Sequence, residues 1–278
     1  MRRLPPPRDF FPVHLEHELA GKFRTIIEKV SARTVQSIMR KVPTELRVDE
    51  SLWEFLQKMR DLITLNLKQQ EAENFGSLMV SYVDKKLARP LGKGTRPGIA
   101  VSTRGTLATD AAVQAFARKS VEMISGLQAE YFDEIARLVQ ESVTTGRVQS
   151  LETDLSKYSD TIANRAEFYA QDLVGDTFAE VSAKRQQDAG FPGYIWMTSL
   201  DARVRDEHAH LHGKFFTWAQ TPPGLVKPGA KLPGSDYRCR CTAYPALGEQ
   251  DQLSRDQREE DLSDMNKARM RQGLEAIV

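Results

Sequence analysis

Residues 196–216 read WMTSLDARVRDEHAHLHGKFF, and residues 233–241 read PGSDYRCRC. Three of the chain's five histidines lie in the first stretch and both cysteines in the second. The surrounding composition favours strands. GYIWMTS and GKFFTW are short, aromatic or β-branched runs bounded by glycine, and CRCTAYPAL supplies a third. Between the first two, SLDARVRDEHAHLHG has Asp201 near its start and Gly213 at its end, the polarity of a short helix. The expectation is a small α+β module over residues 191–248 with a short sheet.

His208 and His212 are four residues apart, so a helix sets both on one face; Cys239 and Cys241, two apart on an extended segment, share one side. Two readings follow. In one, the four residues form a Cys2His2 zinc tetrahedron, a staple for a module too small to have much core. In the other, the cysteines are small buried residues and the histidines are hydrogen-bonded or exposed. For either pair to meet, the 213–238 connection must fold back, and its TPPG and LPGS elements are suited to turning. A disulfide between Cys239 and Cys241 would close a tiny, strained ring, so reduced thiols or a metal are expected. A catalytic metal is disfavoured. The His-Glu-X-X-His helix of metalloproteases carries its base after the first histidine, whereas Ala209 follows His208 and Glu207 precedes it. Four protein ligands also leave no open position for water.

Upstream, apolar residues recur at helical spacing from Leu19 to Ile38, and again from Leu52 to Leu67 after a break at Pro43. The pattern resumes at Phe75, Leu78, Met79 and Tyr82 and is expected to end before Pro90. A further stripe runs from Val113 to Val143 and closes at Gly146; another, from Ile162 to Val181, ends before Gly190. Residues 1–190 therefore read as an elongated helical body. Residues 89–106, RPLGKGTRPGIAVSTRGT, read as a mobile basic loop. They do not form a phosphate loop, because Leu87 stands where that motif needs glycine. Residues 249–278 form a charged tail without a strong apolar stripe, expected to be a solvated or partner-dependent helix. The fold class is mainly α, with the α+β module near the C-terminus.

Composition narrows the function classes. The chain has 278 residues, 40% hydrophobic and 28% charged, which is enough to bury a core and unlike a disordered protein. The formal net charge of +1 gives no overall drive toward nucleic acid or an anionic membrane. The basic start is interrupted by Pro5, Pro6, Pro7 and Pro12 and has no apolar signal region, and no stretch approaches the roughly 20 apolar residues of a membrane span. A protein kept in the cytoplasm, or carried in a particle assembled there, is expected.

Taken together, Trp196, Asp201, Arg203, Arg205, His208, Leu211 and Gly213, then Pro233, Gly234, Cys239, Arg240 and Cys241, occur in the order of a known pattern. It runs from an aromatic strand through Asp-X-Arg-X-Arg-X-X-His-X-X-Leu-X-Gly to Pro-Gly and Cys-Arg-Cys. It resembles the Mu F-type domain of phage head morphogenesis (minor head) proteins. The likeness is close over about 60 residues, and the helix leading into them is also similar; the first 145 or so match only in being helical. The resemblance implies a minor structural protein of a tailed-phage head, near the portal vertex, acting in head morphogenesis and in DNA packaging or delivery. Partners would be the portal protein or major capsid protein, with the basic loop (Lys93, Arg96, Arg104) touching packaged DNA through its phosphates. Its location would be the virion, with assembly in the host cytoplasm.

It also strengthens the zinc reading, with ligands His208, Cys239, Cys241 and His212. Trp196, Asp201, Arg203, Arg205 and Arg240 would form a structural network holding the 201–212 helix on its strand. Two departures stand out. Many relatives have histidine where this chain has Leu232, and some continue into toxin enzymes whereas this sequence ends at Val278. No catalytic residue is therefore assigned and a non-enzyme is expected. The alternatives are a metal-dependent hydrolase or nuclease using His208 and Asp201, and a DNA-binding module.

Overall fold

A computed structural model describes residues 10–45, 50–62, 67–94 and 107–277. The element order is α1 (Val13–Glu45), α2 (Glu50–Leu62), α3 (Gln69–Gly94), α4 (Leu107–Thr145), α5 (Val148–Asp188), β1 (Gly193–Met197), α6 (Asp206–Ala209), β2 (Phe215–Thr217), β3 (Thr242–Ala246), a 3-10 turn (Glu249–Asp251) and α7 (Arg255–Met270). The protein is mainly α with a small α+β module near the C-terminus, as the sequence patterns predict. Among the described residues no helix is long and apolar enough to cross a membrane.

The helix ends follow backbone chemistry. Gly146 (φ 71°) and Gly190 (φ 82°) take the left-handed conformation that closes α4 and α5. At the second, Phe191 N–H bonds Gln186 C=O at 3.1 Å and Gly190 N–H bonds Gln187 C=O at 2.9 Å, which satisfies carbonyls the helix leaves open. Prolines are weaker stops than expected. α1 continues through Pro43 to Glu45, and α3 runs past Pro90 to Gly94. A proline removes one backbone hydrogen bond and bends a helix, but helical backbone can resume on its far side. Of the basic loop, Lys93 falls within α3, but its side chain, like Arg96 and Arg104, lies outside the described residues.

The chain divides into two compact units. One comprises residues 17–74 and 116–171, with Phe23, Ile27, Ile124, Leu127, Ile135, Leu155 and Ile162 almost fully buried. Inside it Tyr131 stacks on Tyr158 with ring centroids 6.1 Å apart. The other comprises residues 1–16, 75–115 and 172–278. The change of composition near residue 190 is therefore not a packing boundary. The C-terminal half of α5 shares a unit with the sheet: Gln186 Nε2 donates to Ala243 C=O at 2.9 Å, and Arg185 pairs with Asp84 of α3 at 2.9 Å.

The sheet is antiparallel in the order β2-β1-β3. In β1 Tyr194 and Trp196 pack to one side with Leu211, Cys239, Cys241 and Ala243, while Ile195 and Met197 pack to the other with Ala246 and Leu253. This central strand is covered on both faces, which explains why GYIWM is apolar throughout rather than alternating.

The tail departs from expectation. α7 is docked: Met265 is 0% exposed and shares a cluster with Val204, Ala209 and Ile277. Its mostly polar surface hides a narrow apolar contact, too few residues to register as a stripe.

Candidate metal centre

After β1 the backbone turns through residues 199–204, with Leu200 at φ 53°, before one helical turn, α6. The expected helix over 201–212 is thus only Asp206–Ala209, followed by turns that close at Gly213 (φ 74°). This shortening separates the two histidines. His208 lies within α6 and His212 beyond it, so they do not share a continuous helical face.

His208 faces the cysteines. Its Nδ1 lies 3.5 Å from Cys239 Sγ and 3.8 Å from Cys241 Sγ, and the three ligand atoms all fall within 4.8 Å of one another. Among the described residues this is the group of His, Cys, Asp and Glu side chains that converges closely enough to share an ion. All three residues are buried, Trp196 packs edge-on against His208 at 5.4 Å, and the Cys241 N–H points to Cys239 Sγ at 3.4 Å. The cysteines are free thiols carried back by a turn in which Cys239 N–H bonds Asp236 C=O at 3.0 Å. The return predicted from the turn residues therefore occurs.

Behind His208 stands Asp236, whose side chain is fully buried. It accepts from Lys227 N at 2.8 Å, Tyr237 N at 2.9 Å, Arg205 Nη1 at 3.0 Å and Val226 N at 3.3 Å. Such a set of donors fixes a buried carboxylate in place. His208 Nε2 lies 3.3 Å from Asp236 Oδ2, within ion-pair reach though not aligned as a hydrogen bond.

The titration behaviour of the trio follows from this packing. The Cys241 hydrogen bond, together with His208, holds the Cys239 thiol well below its ordinary value against the opposing effect of burial. Burial pushes the Cys241 thiol well up, and the neighbouring Cys239 sulfur adds to this. Burial lowers His208, but the Cys239 hydrogen bond and charge outweigh it and leave a net upward shift.

The other predicted residues go elsewhere. His212 is committed to protein partners: its Nδ1 lies 3.1 Å from Thr198 N, which donates to it, and its Nε2 lies 3.0 Å from Asp261 Oδ2 on α7. The single expected network separates into three. Asp201 pairs with Arg203 on the surface at 3.1 Å, Arg205 joins Asp236, and Arg240 makes a two-pronged pair with Glu16 at 2.7 and 2.8 Å.

Several residues that sequence reasoning missed hold this arrangement. Asp236 sits inside the quoted PGSDYRCRC but carries no spacing signal. Asp172 accepts from Arg238 N at 2.8 Å, and Lys227 Nζ bridges Asp172 and Asp176 of α5 at 3.2 and 2.8 Å. At Gly175 a Cβ would stand 2.6 Å from Gly234 C=O, so α5 and the Pro-Gly turn meet backbone to backbone. Only a long-range contact map could have revealed these roles.

Residues 133–244 match a family model described as phage Mu protein F like protein. The matched segment spans the end of α4, all of α5, and the sheet into β3. A Haemophilus influenzae protein described as uncharacterized is 25% identical over 203 residues, covering 71% of this chain and 44% of the relative. The chain thus aligns with less than half of that relative's length. No solved structure matches the chain.

Proposed function

We propose that the chain, whose residues 133–244 match the phage Mu protein F-like family model, is a minor structural component of a tailed-phage head acting in head morphogenesis. In this reading it sits in the virion near the portal vertex, in few copies, and acts in head assembly and in packaging or delivery of DNA. The portal protein or major capsid protein is its partner, and the basic segment containing Lys93, Arg96 and Arg104 contacts DNA phosphates.

The observation that carries the reading is the extent of the match. It covers α5 together with the sheet and the connection before β3: Gln186 of α5 bonds the Ala243 carbonyl of β3, and the Gly175–Gly234 approach and the Lys227 bridge tie α5 to the connection. The similarity therefore follows a packed assembly rather than an isolated motif. The pairing of the carboxylates a hydrolase would use also favours a structural role over hydrolysis. Asp236 is saturated with donors, and Asp201 is paired with Arg203. Neither is presented as a free general base.

Quantitative mass spectrometry of purified heads tests the assignment. The expected result is a protein that co-purifies with heads at far fewer copies than the major capsid protein; its absence from heads at every assembly stage would overturn it. Nuclease activity of the purified chain that is lost on substituting His208 would favour the hydrolase reading. DNA binding whose affinity falls with salt, and weakens when Arg96 and Arg104 are replaced, is expected if the basic segment touches phosphates.

A further inference from the structure

We propose that His208 Nδ1, Cys239 Sγ and Cys241 Sγ bind one zinc-class divalent ion as a structural staple, with Asp236 positioning His208 from its other ring nitrogen. The inference stands independently of any role in a phage head. The ligands arise on two separate segments, α6 and the run before β3, yet their donor atoms converge within 4.8 Å in a buried core. Tetrahedral zinc with bonds of about 2.0–2.3 Å places nitrogen and sulfur ligands about 3.5 Å apart, and the observed separations are 3.5 and 3.8 Å.

That spacing alone also suits a thiol–imidazole hydrogen bond, so the surroundings decide. The buried Asp236 carboxylate lies 3.3 Å from His208 Nε2, on the side of the ring away from the sulfurs, the position of the outer partner of a metal-bound histidine, though the two are not aligned as a hydrogen bond before the ion binds. A proton held at Nε2 leaves the Nδ1 lone pair free to ligate. Cys241 N–H is aimed at Cys239 Sγ, and the buried Trp196 indole N–H, which meets no aligned acceptor among the described residues, packs in the same cluster as both sulfurs. These are donors suited to thiolates. Two thiolates and an imidazole favour zinc over magnesium or calcium, which prefer oxygen ligands. His212 is engaged by Thr198 and Asp261, so among the described residues the chain supplies three ligands. Binding releases the remaining thiol protons to solvent and ties α6 to the segment leading into β3.

The test uses the full-length, untagged chain, reduced and stripped with a chelator, then titrated with Co(II) and Zn(II). One equivalent of Co(II) is expected to bind, with sulfur-to-metal charge transfer and the visible bands of a tetrahedral ion, and to be displaced by one equivalent of Zn(II). If the stripped chain loses its fold and regains it only with Zn(II), the proposal is likewise supported. C239S, C241S and H208Q should abolish the bands, D236N should weaken affinity about 10–100-fold, and H212Q should retain one equivalent. A folded wild-type chain that binds no Co(II) or Zn(II) would overturn the site whatever the variants do. So would bands that persist in both cysteine variants.

Discussion

Arg205 and Arg203 lie two residues apart on the same charged segment, yet the structure gives them opposite weight. Arg205 reaches the buried Asp236 and the Tyr237 carbonyl, whereas Arg203 pairs locally with Asp201 and its side chain is 64% exposed. Arg205→Ala removes a charge-assisted partner from a buried carboxylate and should destabilise the protein by about 1–3 kcal/mol. Arg203→Ala should change stability by no more than about 0.5 kcal/mol. Urea denaturation of both variants checks the contrast; equal losses would mean that Asp236 does not depend on Arg205. Sequence alone could not separate the two, because alternating charge shows which residues can pair but not which carboxylate folds back to meet them.

Among the helices, two glycines make a similar comparison. Gly126 in α4 has nothing within 4 Å of a built Cβ, while Gly175 in α5 abuts the Gly234 carbonyl. Gly126→Ala should stabilise by about 0.5–1 kcal/mol through lower chain entropy and better helix propensity. Gly175→Ala should destabilise by about 1–3 kcal/mol, because α5 and the turn would have to separate. Thermal melts of the two variants should therefore shift in opposite directions. α7 supplies a second test at this scale. Met265 anchors an otherwise polar helix, so Met265→Ala should cost about 2–5 kcal/mol of local docking energy and expose residues 255–270 to limited proteolysis before the rest of the chain. Proteolysis no faster than in the wild type would show that the charged contacts alone hold the helix.

For the whole molecule, the division into two units determines how damage should spread. The cysteines belong to the unit that also contains residues 75–88 and 172–188, so the expectation that a cysteine change loosens only residues 191–248 gives way to a wider one. Cys241→Ser should increase amide hydrogen exchange across the sheet, the second half of α5 and the described part of α3, while Phe116–Gln171 keeps its protection. Exchange confined to the sheet and its loops would instead mark the 190/191 boundary as a true cooperative edge.

The sequence by itself determined the elements whose causes are local. Apolar spacing placed the long helices, Gly146 and Gly190 ended two of them, and short aromatic runs marked all three strands, because periodicity and left-handed caps are written in neighbouring residues. Its turn residues between His208 and the cysteines also suit the return that the structure shows. What only the tertiary structure decided depends on contacts across long stretches of chain. His212 turned to Thr198 and Asp261, Asp236 took its place behind His208, Arg240 crossed to Glu16, and α7 docked through Met265. In each case a buried polar or apolar group is satisfied by a partner that spacing cannot specify, because the requirement to fill space and pair every buried charge is imposed by the assembled core.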